Sequence, residues 1–178
     1  MMKIIDYILF IIIFVVISSL NINFRSFGNI INKATAQDVG QVRISELDNP
    51  YPARWRGEQN DLALIDDVCA FSSSGYYRVK AVGSNSGYDF SLNKQDDNIS
   101  LPYLVYWNDN PYSNTEKIQL ISNRLSEVLT TTSQIENNNC NNGQNLSARL
   151  EVLFRLQDLM KANPGNYFGI LIITIEPI

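Results

Sequence analysis

The chain has 178 residues and a formal net charge of −4, and only 18% of its residues are charged. This length suits one domain of ordinary size, and the sparse, weakly acidic charge provides no basic patch for nucleic acid. The sequence contains no histidine, which excludes histidine-based acid–base catalysis, Ser-His or Cys-His nucleophile pairs and imidazole metal sites.

The N-terminal segment has the order of a secretory signal peptide. Lys3 precedes a continuously apolar or small run over 7–20, and Ala-Thr-Ala at 34–36 offers a small-residue cleavage site. We therefore predict a signal peptide over residues 1–36 and a mature domain over residues 37–178. Retention of the apolar run as a membrane anchor is the alternative, although the run is short for a span of about 20 residues.

The two cysteines, Cys69 and Cys140, lie too far apart in sequence for the paired spacing of a zinc site. In an exported protein they would most simply form one disulfide, and two buried free thiols are the alternative. The oxidising compartment reached through a signal peptide favours the disulfide.

Short alternating segments separated by turn residues dominate the mature domain. Val42 and Ile44 share one face of a short strand predicted within 39–47, and a loop rich in proline and glycine follows over 48–61. The next predicted strands are Val68–Phe71, Tyr77–Ala81, Tyr88–Leu92, Leu101–Trp107 and Ala148–Phe154. Several short strands with turns between them predict an antiparallel β-sandwich.

Three segments are less regular. The apolar residues of Glu116–Leu129 fit a helical stripe about as well as two short strands, so both interpretations stay open. Residues 137–145 are almost entirely Asn and Gly around Cys140 and predict an exposed loop. Residues 156–162 fit a single helical turn before Pro164.

The last run, over 165–178, follows a Pro-Gly turn and is apolar on both faces. One face carries Tyr167, Leu171, Ile173 and Ile175, and the other carries Phe168, Ile170, Ile172 and Thr174. A strand of this kind normally lies inside a sheet with a neighbour on each side. Since no later strand follows it in this sequence, we expect an earlier strand or another protein to pair with it.

Six short motifs in order carry a resemblance to a known family. They are Asp67-Val-Cys-Ala-Phe-Ser-Ser-Ser-Gly75, Tyr77-Arg-Val-Lys-Ala81, Leu101-Pro-Tyr103, Tyr106-Trp-Asn-Asp109, Cys140-Asn-Asn-Gly143 and Pro164-Gly-Asn-Tyr167. Together they resemble the spore coat protein U domain, which subunits of archaic chaperone–usher pili share. The resemblance runs from about Ser45 to Pro177.

The resemblance implies an immunoglobulin-like β-sandwich that is incomplete because it lacks its final strand. It implies an exported, non-enzymatic subunit of a pilus or surface fibre, passing through the periplasm to the cell surface without a cofactor. Its partners would be a periplasmic chaperone, an outer-membrane usher and neighbouring subunits, which donate the missing strand. The family's disulfide would join Cys69 and Cys140. The groove for the donor strand would be lined by Val42, Ile44, Tyr167, Leu171, Ile173 and Ile175.

Two features bear on how this chain would use such a fold. Family members usually have polar residues where this chain has Phe168, Ile170 and Ile172, so we expect the outer face of the last strand to be covered or adhesive. Residues 37–47 can serve as the domain's own first strand or as a donor strand, but hardly as both. We favour the first strand, which would place the protein at a fibre tip.

Other functions fit the sequence less well. A secreted enzyme could use Asp66 with Asp67, or Asp96 with Asp97, as paired carboxylates. Neighbouring strand residues point to opposite faces, and both pairs border turn-rich sequence, so solvated turn acids are the better interpretation. A calcium site would draw on Asp96, Asp97 and Asn98 without a recognisable spacing. A self-contained carbohydrate-binding module would stack sugars on Trp55, Tyr106, Trp107 and Tyr112. The simpler interpretation of Trp55 is that its side chain packs over the edge of the core. The alternative nearest to a pilus subunit is a coat protein that uses the same domain outside a pilus.

Overall fold

The computed structural model describes residues 7–11, 42–45, 47, 55–84, 87, 89–94, 99–113, 116–131 and 146–178, and for 7–11 it describes the backbone only. The strands are β1 (Tyr7–Ile11), β2 (Val42–Ser45), β3 (Leu62–Ser72), β4 (Tyr76–Gly83), β5 (Ser91–Lys94), β6 (Ser100–Pro102), β7 (Leu104–Asn108), β8 (Ile118–Leu120), β9 (Leu129–Thr130), β10 (Ala148–Phe154) and β11 (Asn166–Pro177). One helical turn, α1 (Leu156–Leu159), separates β10 from β11.

These strands form two sheets. Sheet I has the order β2-β3-β10-β7-β8, and every pair in it is antiparallel. In sheet II, β11 pairs antiparallel with β5 near its start and with β4 over its remainder, while β6 adds to β5 and β9 adds to β4. β1 is the sixth strand of sheet II and pairs with β11 in parallel, whereas the other pairs are antiparallel. The predicted all-β, mainly antiparallel sandwich is thus confirmed. No helix in the described part of the chain is long and apolar enough to cross a membrane.

The core lies between the sheets because each long strand alternates inward apolar and outward polar residues. In β10, Ala148, Leu150, Val152 and Phe154 are buried, and the residues between them are partly exposed. The facing residues Tyr77, Val79 and Ala81 of β4 are buried in the same cluster. Burying a large apolar side chain contributes about 1.5–3 kcal/mol, so this alternation fixes which face of each strand turns inward.

Two predicted segments divide between the sheets. The predicted strand Leu101–Trp107 is wrong as one element: β6 lies in sheet II and β7 in sheet I, with Tyr103 between them. Pro102, which has no N–H, sits on the edge strand β6, where a missing donor does least harm. Likewise Glu116–Leu129 forms no helix but contributes β8 to sheet I and β9 to sheet II. Asn123, at a φ of 59°, turns the chain between them.

Several boundaries differ from the predicted ones. β3 begins at Leu62 instead of Val68, because 62–68 pairs continuously with β10. Asp66 and Asp67 therefore lie within a strand, so their assignment to a turn was wrong. The segment that was predicted as Tyr88–Leu92 forms β5 three residues later, over Ser91–Lys94. The turn of α1 and the loop over 55–61 are confirmed, whereas 48–54 and 137–145 lie outside the described residues.

A buried pair of aromatic side chains joins the sheets. The Trp107 Nε1–H donates a hydrogen bond to the Tyr77 hydroxyl at 3.1 Å, and the rings meet edge to face with centroids 6.5 Å apart. Both side chains are essentially inaccessible to solvent. Burial raises the pKa of Tyr77 well above its ordinary value, which keeps the hydroxyl neutral as an acceptor.

We expect Tyr77→Phe to destabilise the domain by about 1–3 kcal/mol, because it leaves the buried Trp107 N–H without an acceptor. The matched control is Tyr112→Phe, since Tyr112 is 86% exposed and its loss of a hydroxyl should change stability by less than about 0.5 kcal/mol. Urea unfolding of both variants beside the parent chain measures the difference. Equal stabilities would contradict a structural role for this hydrogen bond.

Candidate functional site

The two edges of β11 can be told apart from its backbone hydrogen bonds. The Ile170 C=O accepts from the Ser84 N–H at 2.9 Å, and the Ile170 N–H donates to the Ser84 hydroxyl at 3.0 Å. Both groups of one residue point to the same edge, and successive residues alternate between edges. The even-numbered residues of β11 therefore direct their backbone groups towards β4. Ile172 lies opposite Val82 there, and Thr174 lies opposite Lys80.

Strand β5 lies along this same edge. The Lys94 N–H donates to the Ile99 C=O, so Lys94 faces β6 and its neighbour Asn93 faces β11. Asn93 is opposite Phe168, another even-numbered residue. β4 and β5 therefore both pair with the same edge of β11, β5 near the start of β11 and β4 along the rest of it.

The opposite edge, which carries the backbone groups of the odd-numbered residues from Tyr167 to Ile175, is here called the outer edge of β11. Within the described residues, β1 alone pairs on it, in parallel, with Tyr7 opposite Asn166 and Ile11 opposite Ile170. No described strand pairs with the outer edge beyond Ile170. Within the described part of the chain, the N–H and C=O groups of Leu171, Ile173 and Ile175 thus have no partner strand, and unpaired groups on a strand are a template for another strand.

The side chains on this stretch belong to the core. Tyr167 and Leu171 are fully buried, and Ile173 and Ile175 are 4% and 9% exposed. Across the sandwich lies β2, the edge strand of sheet I, which contacts β11. There Ile44 is buried and Val42 packs partly buried against the same core.

The structure thus places all six residues predicted to line a groove in or against the shared core, on β2 and β11, which face each other across it. β2 pairs with β3, with Ile44 opposite Ala70, so it serves as a strand of its own domain. The role of these residues in receiving a strand stays a prediction.

Local chemistry fixes where β11 begins. Gly165, at a φ of 148°, makes the turn after Pro164, and the Tyr167 hydroxyl donates back to the Asn163 C=O at 2.8 Å. At Gly169, an added Cβ would lie 2.8 Å from the Leu92 side chain. Glycine is therefore needed there for β5 to approach, a constraint that the sequence alone did not reveal.

The other sites considered from the sequence are not assembled. Trp55 and Trp107 are 5% and 0% exposed, so they offer no stacking platform beside the half-buried Tyr106 and the exposed Tyr112. Asp67 is held by Arg149, whose guanidinium N–H donates to the carboxylate at 2.9 Å. The described residues contain no cluster of metal-ligating side chains, and residues 96–98 lie outside them.

A cavity of about 220 Å³ is a further concave feature of sheet I. It is lined by Tyr106, Trp107, Asn108, Ser113, Lys117, Arg149 and Glu151. Lys117 Nζ binds the Glu151 carboxylate at 2.9 Å and lies 4.6 Å from the Tyr106 ring centroid. Arg149 is paired with Asp67. Each cation of the cavity thus has a carboxylate partner, which leaves little net charge to attract an ionic ligand.

Cys69 is 1% exposed on β3, opposite Ser45 of β2. Its predicted partner Cys140 lies outside the described residues, so the disulfide stays a prediction. The most unexpected feature is β1, since residues 7–11 belong to the predicted signal peptide and yet form a strand. Comparison of the sequence with protein-family models and with curated proteins gives no match.

Proposed function

We propose that this protein is an exported structural subunit of a chaperone–usher type pilus or surface fibre and that it assembles by accepting a strand from another protein. The outer edge of β11 beyond Ile170 carries this proposal, because no strand among the described residues pairs with its backbone groups and the strand lies beside a shared core. Addition of a strand to such an edge supplies hydrogen bonds, and pockets for alternate side chains supply specificity.

The strand order supports an immunoglobulin-like sandwich without its last strand. Such domains place strands A, B, E and D in one sheet and C, F and G in the other. The order β2-β3-β10-β7 corresponds to A, B, E and D, while β4 with β5 occupies the position of C and β11 that of F. Strand G would then pair with the outer edge of β11. The hydrogen bond from Tyr167 back to Asn163 is similar to the tyrosine corner at the start of strand F.

The partners and the location follow from this role. A signal peptide over 1–36 takes the chain to the periplasm, a chaperone and an usher handle it there, and it reaches the cell surface in a fibre. We place it at the fibre tip, because β2 is already engaged with β3 in its own domain and is not available as a donor. The spore coat protein U resemblance supports the same role. A non-pilus coat assembly would use the same edge.

Photo-crosslinking in the native cell tests this proposal. A photoreactive residue at Thr174, on β11 beside the outer edge, should crosslink to an extended segment of another protein. The control position is Ile65, exposed on sheet I, which should give no specific product. At a fibre tip, a third probe at Asp38 should give none either. Equal crosslinking from Thr174 and Ile65 would contradict strand acceptance, and an Asp38 product with a second subunit would contradict the tip position.

A further inference from the structure

The outward face of β11 carries a row of apolar side chains directly beside its outer edge. Phe168 is 47% exposed, and Ile170 and Ile172 are partly exposed. On the neighbouring strand β4, Val82 is opposite Ile172 and is also partly exposed, which widens the row. We call these four residues the outer row. A contiguous apolar row differs from the single apolar residues scattered over any surface and marks a contact.

The strand that the structure pairs with this edge has a matching composition. β1 has the sequence Tyr-Ile-Leu-Phe-Ile, with no charged or amide residue at any position. Its register places Leu9 opposite Phe168 and Ile11 opposite Ile170, whereas Ile8 and Phe10 are opposite Tyr167 and Gly169. Residues directly opposite each other on paired strands share a face of the sheet. The positions beside the outer row are thus apolar in β1, as are those beside the core.

We propose that, once signal-peptide cleavage has removed β1 from the outer edge of β11, the strand accepted there is apolar on both faces where it lies beside the outer row, and does not alternate apolar with polar residues. This inference rests on the proposed function and specifies the chemistry of the partner. The inward side chains of that strand would enter the core between β11 and β2. Its outward side chains would pack laterally against Phe168, Ile170 and Ile172 on the same face of the sheet.

The β11 strand of a second copy of this chain does not fit as the occupant. Its own β11 is apolar on both faces, but the inward side chains Leu171 and Ile173 are already buried in its own core. Such a strand has nothing left to insert between β11 and β2. The occupant must be a segment with both faces free before it binds.

The test compares two strands fused by a short turn after Ile178 of the exported chain. The two inserts have identical inward residues and differ outward, one carrying Ile and Val and the other Thr. Each insert is placed in the parent chain, in the triple variant Phe168→Thr, Ile170→Thr, Ile172→Thr, and in the control variant Ile65→Thr. The control changes an apolar residue that is 54% exposed on the other sheet.

Both inserts should raise the Tm of the parent, and the apolar insert should raise it further, by about 5 °C or more. This gap should vanish in the triple variant and persist in the Ile65→Thr control. Equal Tm values for the two inserts, or a gap that survives in the triple variant, would overturn the inference and leave the proposed function intact. If neither insert raises the Tm, the proposed function itself fails.

Sedimentation of the same proteins tests the remaining alternative, in which a second copy of this chain packs on the outer row. We expect the chain with the apolar insert to be a monomer, since the side chains of the insert pack laterally against the outer row and the insert occupies the open edge. A dimer that Phe168→Thr converts to a monomer would show that a second copy covers this row, and it would overturn the inference.

Discussion

Fusing a complementary strand after Ile178 should convert residues 37–178 from an aggregating chain into a soluble monomer. Without the added strand, no described strand pairs with the backbone groups of Leu171, Ile173 and Ile175, which lie on a strand that also lines the core. Exposed, unprotected edges of this kind favour edge-to-edge association. We therefore expect the unfused chain, expressed without a chaperone, to be recovered mainly as aggregates.

The size of the expected effect follows from burial. A donor strand that inserts about four or five large apolar side chains, each contributing about 1.5–3 kcal/mol, supplies on the order of 10 kcal/mol. A whole domain is stable by only about 5–15 kcal/mol. The missing strand is therefore comparable in free energy to the entire stability of the domain, and its absence should leave the fold marginal.

The matched control carries an insert of the same length with serine at the inward positions, which can form the backbone hydrogen bonds but brings no apolar side chains. We expect this control to rescue little. Size-exclusion chromatography and thermal unfolding measure the outcome. A soluble, cooperatively unfolding monomer from the unfused chain, with the Tm of the fused chain, would show that the fold is complete without a donor.

Replacing either cysteine should sharply lower the yield of exported, folded protein. A disulfide between Cys69 and Cys140 would close a loop of roughly 70 residues and contribute on the order of 4 kcal/mol. Cys69 is already buried at 1% exposure on β3, so a bond there would tie the Asn-rich segment around Cys140 to sheet I. We expect the two single alanine variants, Cys69→Ala and Cys140→Ala, and the double variant to show similar losses of exported, folded protein.

That pattern is the signature of one shared bond, because once either cysteine is lost the second replacement removes nothing more. Small differences are expected from the packing of the buried Cys69 side chain. Mass spectrometry after alkylation of the unreduced protein provides an independent check. Two alkylated thiols in the parent, or losses that add in the double variant, would contradict the disulfide.

Long alternating segments were predictable from the sequence. Ala148–Phe154 matches β10 residue for residue, and the run after Pro164 forms β11. In both, the period of two along the strand decides which side chains are buried, and this information is local. The inward and outward faces of β11 follow for the same reason, which is why its four predicted groove residues all point into the core.

What could not be predicted depends on long-range pairing. Nothing local shows that Leu101–Trp107 changes sheets at Tyr103, or that Leu62 pairs with Phe154 of β10 and so lengthens β3. The shared use of one edge of β11 by β4 and β5 likewise emerges only from contacts between distant segments. An acidic pair such as Asp66-Asp67 indicates a turn in isolation, but the ion pair between Asp67 and Arg149 accommodates it within a sheet.

Hydrogen exchange at single-residue resolution along β11 tests the open edge most directly. In the exported chain without a donor, labelled briefly at low concentration, the amides of Ile172, Thr174 and Glu176 should be protected because they face β4. The amides of Leu171, Ile173 and Ile175 should exchange rapidly, and a fused donor strand should protect them. Equal protection of both sets in the chain alone would mean that the outer edge is already paired, and would contradict strand acceptance.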